Sequence, residues 1–207
     1  MRLKNIELIL LDVDGVLIDS KLNMKESWNK LLHEHYVKKP FSEYFKRIGT
    51  SFKNIMLSMG IKKNINKIEK EYFSNTLKFK NKIISYRTVY KTLIILQKNY
   101  TLAIVTSKNR KNTKYFLKKF FPKIKFSLVC TPTFKYKAKP EPDLLNFAFK
   151  KLKIKSKNSV FIGDTLNDLI ASKKAKTNFV LAKYGYNNKM LKTKLNIKKF
   201  SDIIPII

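Results

Sequence analysis

Apolar and polar positions divide the chain into two regimes. Residues 6–11 form a short apolar run closed by Asp12-Val13-Asp14-Gly15. A run of that length bounded by polar residues and glycine predicts a buried strand. The period then becomes helical. Over 24–37, Trp28, Leu31, Leu32 and Tyr36 recur at helical spacing, and further helices are predicted near 41–47, 52–59 and 65–79, punctuated by Gly49 and Gly60. No strand is predicted between about Ile18 and Ser85. Beyond Ser85 the two patterns alternate: helix 88–99, strand 101–106, helix 111–120, strand 126–130, helix 142–152, strand 159–163, helix 168–174 and strand 178–181. A short closing helix is expected over 201–207, where Pro205 is a poor helix residue. Strands alternating with helices imply a parallel sheet with right-handed crossovers, here with a helical insertion after the first strand.

Several strand ends carry polar chemistry. Asp12 and Asp14 emerge at the carboxyl end of the first strand, the edge where open parallel sheets bind ligands. Two acids one residue apart repel unless something positive lies between them, and a hard divalent cation held by oxygen ligands meets that need. The run 102–105 ends in Thr106-Ser107-Lys108, and the run 159–162 ends in Gly163-Asp164-Thr165-Leu166-Asn167-Asp168. Between them, Lys139-Pro140-Glu141-Pro142-Asp143 opens a predicted helix.

This order of motifs resembles the haloacid dehalogenase-like hydrolase superfamily, and within it the subgroup of phosphoglycolate phosphatases and β-phosphoglucomutases. The resemblance covers essentially the whole length. It implies an α/β fold with a Rossmann-like doubly wound parallel sheet core (1–17 and 85–207) and a small all-helical cap (18–84) closing over the active site. It implies Asp12 as nucleophile, since a carboxylate is ionised at neutral pH and needs no activating base. Asp14 is then the general acid–base, and its presence argues against dehalogenation. Asp164, the Asp12 carboxylate and the Asp14 carbonyl are expected to hold Mg²⁺. Thr106, less surely Ser107, and Lys139 are expected to bind phosphoryl oxygens. Asp168 is a secondary acid or a helix first-turn acid. Gly15 supplies a sharp turn. Arg47, in the loop Arg47-Ile48-Gly49-Thr50-Ser51, is a candidate for a substrate carboxylate or second phosphate, or a solvated arginine. Lys108 reads as a surface lysine. Ser107 stands where many relatives carry Asn, and Tyr86-Arg87-Thr88 replaces the Tyr-Pro-Gly common where the core resumes.

Composition adds one unusual fact. Forty-five Lys and Arg face 14 Asp and Glu, a net charge of +31. Nucleic acid is therefore a possible partner. Yet lysine dominates over arginine, the lysines are dispersed, and Asn and Ile are abundant, which favours compositional drift over an Arg-rich, aromatic-interleaved binding surface. The expected partner is a small phosphorylated metabolite, in a monomer or homodimer. The single Cys130 excludes a disulfide framework and suits a reducing cytoplasm. No segment reaches the length of a membrane span, and the run before Asp12 is too short for a signal peptide. The expected activity is a Mg²⁺-dependent phosphatase, phosphoglycolate phosphatase-like. The alternatives are a β-phosphoglucomutase-like phosphomutase and a basic phosphatase or binding protein acting on nucleic acid.

Overall fold

The computed structural model describes residues 2–186, 188 and 190–207. The chain runs β1 (Leu8–Leu11), β2 (Ile18–Asp19), α1 (Lys21–His33), α2 (Phe41–Phe45), α3 (Phe52–Ser58), α4 (Ile65–Lys78), β3 (Ile84–Ser85) and α5 (Val89–Leu96). It continues β4 (Thr101–Val105), α6 (Arg110–Phe120), β5 (Leu128–Cys130), α7 (Asp143–Leu152), β6 (Ser159–Gly163), α8 (Leu166–Lys174), β7 (Asn178–Ala182) and β8 (Asn196–Ile197). A 3₁₀ helix, Phe200–Ile206, closes it and accommodates Pro205.

Six strands form one sheet in the order β5-β4-β1-β6-β7-β8, with every neighbouring pair parallel. This is an α/β, Rossmann-like architecture. Alternate side chains of a strand point to opposite faces, and here both faces are covered, so β1 reads as a continuous apolar run. Ile9 and Leu11 join a cluster with Leu93 of α5, Phe116 of α6 and Ile203 of the closing turn. Leu8 and Leu10 join the opposite cluster with Leu144 and Leu145 of α7 and Ala171 of α8. Cys130 sits within this second cluster, and burial pushes its thiol up to about 12, as befits a structural thiol.

Helices α1 to α4 have their own apolar cluster, built on Trp28, Tyr44, Phe52, Ile55, Met56 and Tyr72. The Trp28 and Tyr44 rings stack with centroids 4.5 Å apart, and Phe52 stacks on Tyr72 at 4.9 Å. This helical unit is entered and left through an antiparallel ribbon, Ile18 opposite Ser85 and Asp19 opposite Ile84. The ribbon stands at the two ends of the stretch where no strand was predicted. Two residues per strand are too few to display an alternating pattern. The same holds for β8, which lies in a lysine-rich segment.

The sheet order places the topological switch at β1. The chain first builds outward on the β4 side, then crosses over to β6. Ligands of open α/β sheets bind at the carboxyl ends of strands at such a point.

Candidate active site

Three strand ends deliver the site. Leu11 is in register with Ile104 of β4 and with Ile162 of β6, so Asp12, Thr106 and Asp164 leave the sheet beside one another. Asp12 N–H donates to the Ile162 carbonyl at 3.0 Å, and Thr106 N–H to the Cys130 carbonyl at 3.1 Å, which extends the ladder into the site. A fourth group arrives from the loop between β5 and α7. Lys139 is only 1% exposed, with Nζ 2.7 Å from Asp12 Oδ2 and 2.5 Å from Asp168 Oδ1.

The electrostatics follow from burial. Loss of water raises the Asp12 carboxyl to about 6; Lys139 opposes the rise and Asp168 adds to it. Burial alone would lower the Lys139 ammonium, but the facing Asp12 and Asp168 carboxylates more than reverse this and hold it above its ordinary value. Asp164 is raised well above the usual carboxylate range, first by burial and then by Asp168 and Asp12. Three buried acids thus share one buried ammonium.

Asp12, Asp164 and Asp168 each offer an oxygen within 4.8 Å of the others. Their commitments differ. Asp168 Oδ2 accepts from Asp164 N–H, Thr165 N–H and Thr165 Oγ1, at 3.2, 2.9 and 2.7 Å, while its Oδ1 faces Lys139. Asp168 is therefore both a helix-start cap and the second partner of Lys139. Asp164 Oδ2 accepts the Tyr186 N–H at 2.5 Å, but its Oδ1 is buried with no hydrogen-bond partner among the described residues. An unpartnered buried carboxylate oxygen beside a second carboxylate is a costly arrangement without a cation, and all-oxygen donors suit Mg²⁺. The residues present fit that ion.

Gly15 adopts φ +81°, and a Cβ there would overlap the Asp164 carboxylate. The turn after β1 therefore needs glycine both for its backbone and for the room it leaves Asp164.

Asp14 is engaged from two sides. Ser20 Oγ donates to its Oδ1 at 2.5 Å, and Lys108 Nζ lies 3.1 Å from Oδ1 and 3.0 Å from Oδ2. This corrects the reading of Lys108 as a surface residue. The loop after β4 folds over the end of β1, leaving the Lys108 side chain 9% exposed with Nζ 5.4 Å from the centre of the Phe116 ring.

The helical unit supplies the roof. Ser107 Oγ donates to the Gly49 carbonyl at 3.1 Å, so Ser107 ties the core to the helical unit. Gly49 has φ +102°, and a Cβ there would come within 2.7 Å of Thr165 Oγ1. Asn112 Nδ2 of α6 donates to Thr76 Oγ1 of α4 at 2.6 Å. Between roof and core lies a cavity of about 80 Å³. Its core end is lined by Asp12, Asp14, Thr106, Ser107, Lys108 and Asp164, and its roof by Ile48, Gly49, Thr50, Phe52, Ile55 and Tyr72 among others. Arg47 is not in this lining. Its Nη1 pairs with Glu43 Oε2 at 2.8 Å and with the Glu43 carbonyl at 2.7 Å.

Three contributors escape a reading of the motifs. Lys108 and Ser20 hold Asp14. Tyr186 follows β7, and its backbone serves Asp164 while its hydroxyl donates to Asp19 and accepts from Ser20 N–H, both at 2.7 Å. The signal for Lys108 was its position two residues past Thr106; for Tyr186 it was Gly185 after an apolar strand.

Comparison with known proteins agrees with this picture. The sequence model described as haloacid dehalogenase-like hydrolase matches residues 9–182. A pyrophosphatase PpaX of Bacillus velezensis is 29% identical over 177 residues, covering 84% of this chain and 82% of that protein. A phosphoglycolate phosphatase of Colwellia psychrerythraea is 26% identical over 202 residues, covering 90% of this chain and 88% of that protein. The crystal structure of CbbY from Rhodobacter sphaeroides in complex with phosphate superposes with a TM-score of 0.83 at 18% identity, covering 96% of each chain. No helix among the described residues is long and apolar enough to cross a membrane.

Proposed function

We infer the reaction from one premise: this chain belongs to the haloacid dehalogenase-like hydrolase family. It is a phosphatase-type hydrolase, and curated relatives carry the names pyrophosphatase and phosphoglycolate phosphatase. Our proposal is that it releases orthophosphate from a small phosphorylated metabolite with help from Mg²⁺. One observation carries this reading. Asp12, Thr106, Lys139 and Asp164 converge at one end of a closed cavity, with Asp14 on the same wall.

Asp12 attacks phosphorus and forms an aspartyl-phosphate as the bond to the leaving oxygen breaks. Asp14 gives that oxygen its proton. Water then attacks the phosphoryl group, passes a proton to Asp14, and frees Asp12 and orthophosphate. Thr106 donates its hydroxyl to a phosphoryl oxygen. Lys139 holds Asp12 in line and supplies fixed positive charge where negative charge accumulates. Asp168 keeps Lys139 in place. Asp12, Asp164 and the Asp14 carbonyl would hold Mg²⁺, which when bound neutralises phosphoryl charge and orients the group. The cavity of about 80 Å³ has room for roughly two to three water volumes, which favours a compact substrate and a closed, dry reaction chamber.

The test is phosphate release from a panel of phosphorylated metabolites with and without Mg²⁺, with Asp12→Asn as control. Release that needs Mg²⁺ and vanishes in the variant is expected. Substantial Mg²⁺-dependent release by Asp12→Asn would overturn the mechanism.

A further inference from the structure

Resting on the phosphatase reading, we propose that Lys108 is a substrate-recognition residue: it takes up a second anionic group, carboxylate or phosphoryl, carried by the leaving group. Lys108 is the one cation among the described residues that line the cavity; Lys139 lies outside that lining, against Asp12 and Asp168. Arg47, the other basic side chain placed near the roof by the sequence, is tied to Glu43 and absent from the lining.

The position of Lys108 sets which end of the substrate it meets. Asp12 and Thr106 flank the phosphoryl site at the strand ends. Asp14 and Lys108 each lie two residues further along their loops and meet one another. The ammonium thus stands beside the group that serves the leaving oxygen.

Competition supplies the second argument. Both Asp14 oxygens face Lys108, and Oδ1 also accepts from Ser20. Asp14 cannot reach the leaving oxygen while held this way, so Lys108 must release it. A nearly buried ammonium that gives up its carboxylate needs another anion, because an unpaired buried charge is costly. A second anionic group on the leaving portion provides one. The four-carbon stem and three N–H donors of lysine allow the exchange and accept either a carboxylate or a phosphoryl group. The small cavity requires that group to lie close to the phosphorus.

The experiment uses probes that cannot be hydrolysed: methylphosphonate, phosphonoacetate and methylenediphosphonate. Affinities are measured by calorimetry on the full chain, with Mg²⁺ in large excess, for wild type, Lys108→Met and Lys108→Arg. In the wild type, phosphonoacetate or methylenediphosphonate should bind about tenfold or more tightly than methylphosphonate. The phosphonoacetate arm identifies a carboxylate as the second group, and the methylenediphosphonate arm a phosphoryl. Lys108→Met should remove most of that ratio and Lys108→Arg should keep much of it. Equal affinities for all three probes in the wild type overturn the proposal, as does a ratio that survives in Lys108→Met. Failure of the wild type to release phosphate from any ester would instead sink the phosphatase reading, and the binding ratios would still be measured.

Discussion

Asp12→Asn should separate stability from activity. Burial lifts the Asp12 carboxyl from its ordinary 3.8 to about 6. That difference is roughly two pH units, worth about 3 kcal/mol. The sign follows from proton counts. Between about pH 4 and 6 the folded chain holds a proton that the unfolded chain has released, so stability falls as pH rises through this window. Above it the full cost of burying the charge is present. Asparagine carries no charge at any pH and removes that cost. Its amide must, however, turn one N–H toward the Val13 N–H or the Lys139 ammonium, both donors, at about 1 kcal/mol. The net is a gain of about 2 kcal/mol at pH 7.5 in chelator. At about 2–4 °C per kcal/mol for a chain of this size, Tm should rise by about 4–8 °C. Differential scanning calorimetry in EDTA at pH 4 and pH 7.5 reads this directly, and the gain should vanish or reverse at the lower pH. Mg²⁺ should raise the Tm of wild type more than that of the variant, because the variant has lost a ligand. The reasoning fails if Asp12→Asn melts below wild type at pH 7.5 in EDTA, or if the Tm difference is the same at both pH values.

Lys139→Met keeps side-chain bulk but strands Asp12 and Asp168 without their cation. Urea denaturation at neutral pH should show a loss of about 3–5 kcal/mol, and phosphate release should fall to background; an unchanged midpoint would contradict the shared-ammonium picture. Tyr186→Phe removes the hydroxyl that links Ser20 N–H to Asp19 and leaves a buried donor unmet. A loss of about 1–3 kcal/mol and a lower kcat/KM are expected, and wild-type values for both would show that this link is idle.

The strand ends were legible because a parallel sheet announces itself. Leu8 to Leu11, Leu102 to Val105 and Val160 to Ile162 are buried on both faces, so their sequences are unbroken apolar runs that point to Asp12, Thr106 and Asp164. Lys139 was legible from its prolines, not from its charge. Arg47 and Lys108 exchanged places: the arginine read as a ligand pairs with Glu43, and the lysine read as solvated lines the cavity. In a chain with 45 basic residues, charge alone does not tell a working lysine from a surface one. That distinction is made by the path of the loop after β4, which depends on tertiary packing against Phe116. The ribbon β2–β3 and the strand β8 were hidden for a different reason. Each is two residues long and is fixed by its partner, not by its own pattern.

Tyr186 joins two parts of the molecule that chemistry would otherwise treat separately. Its backbone N–H rests on Asp164 and its hydroxyl on the Asp19–Ser20 stretch where the helical unit begins, while its ring lies 5.3 Å from that of Phe45 in α2. One side chain therefore enters two equilibria, ion capture at Asp164 and closure of the roof. Free-energy linkage makes such a connection reciprocal. Whatever factor an ion at Asp164 contributes to closing the roof, closing the roof returns to the affinity for the ion. A substrate that draws the roof down thereby tightens the hold on the metal it needs, and product release loosens both together.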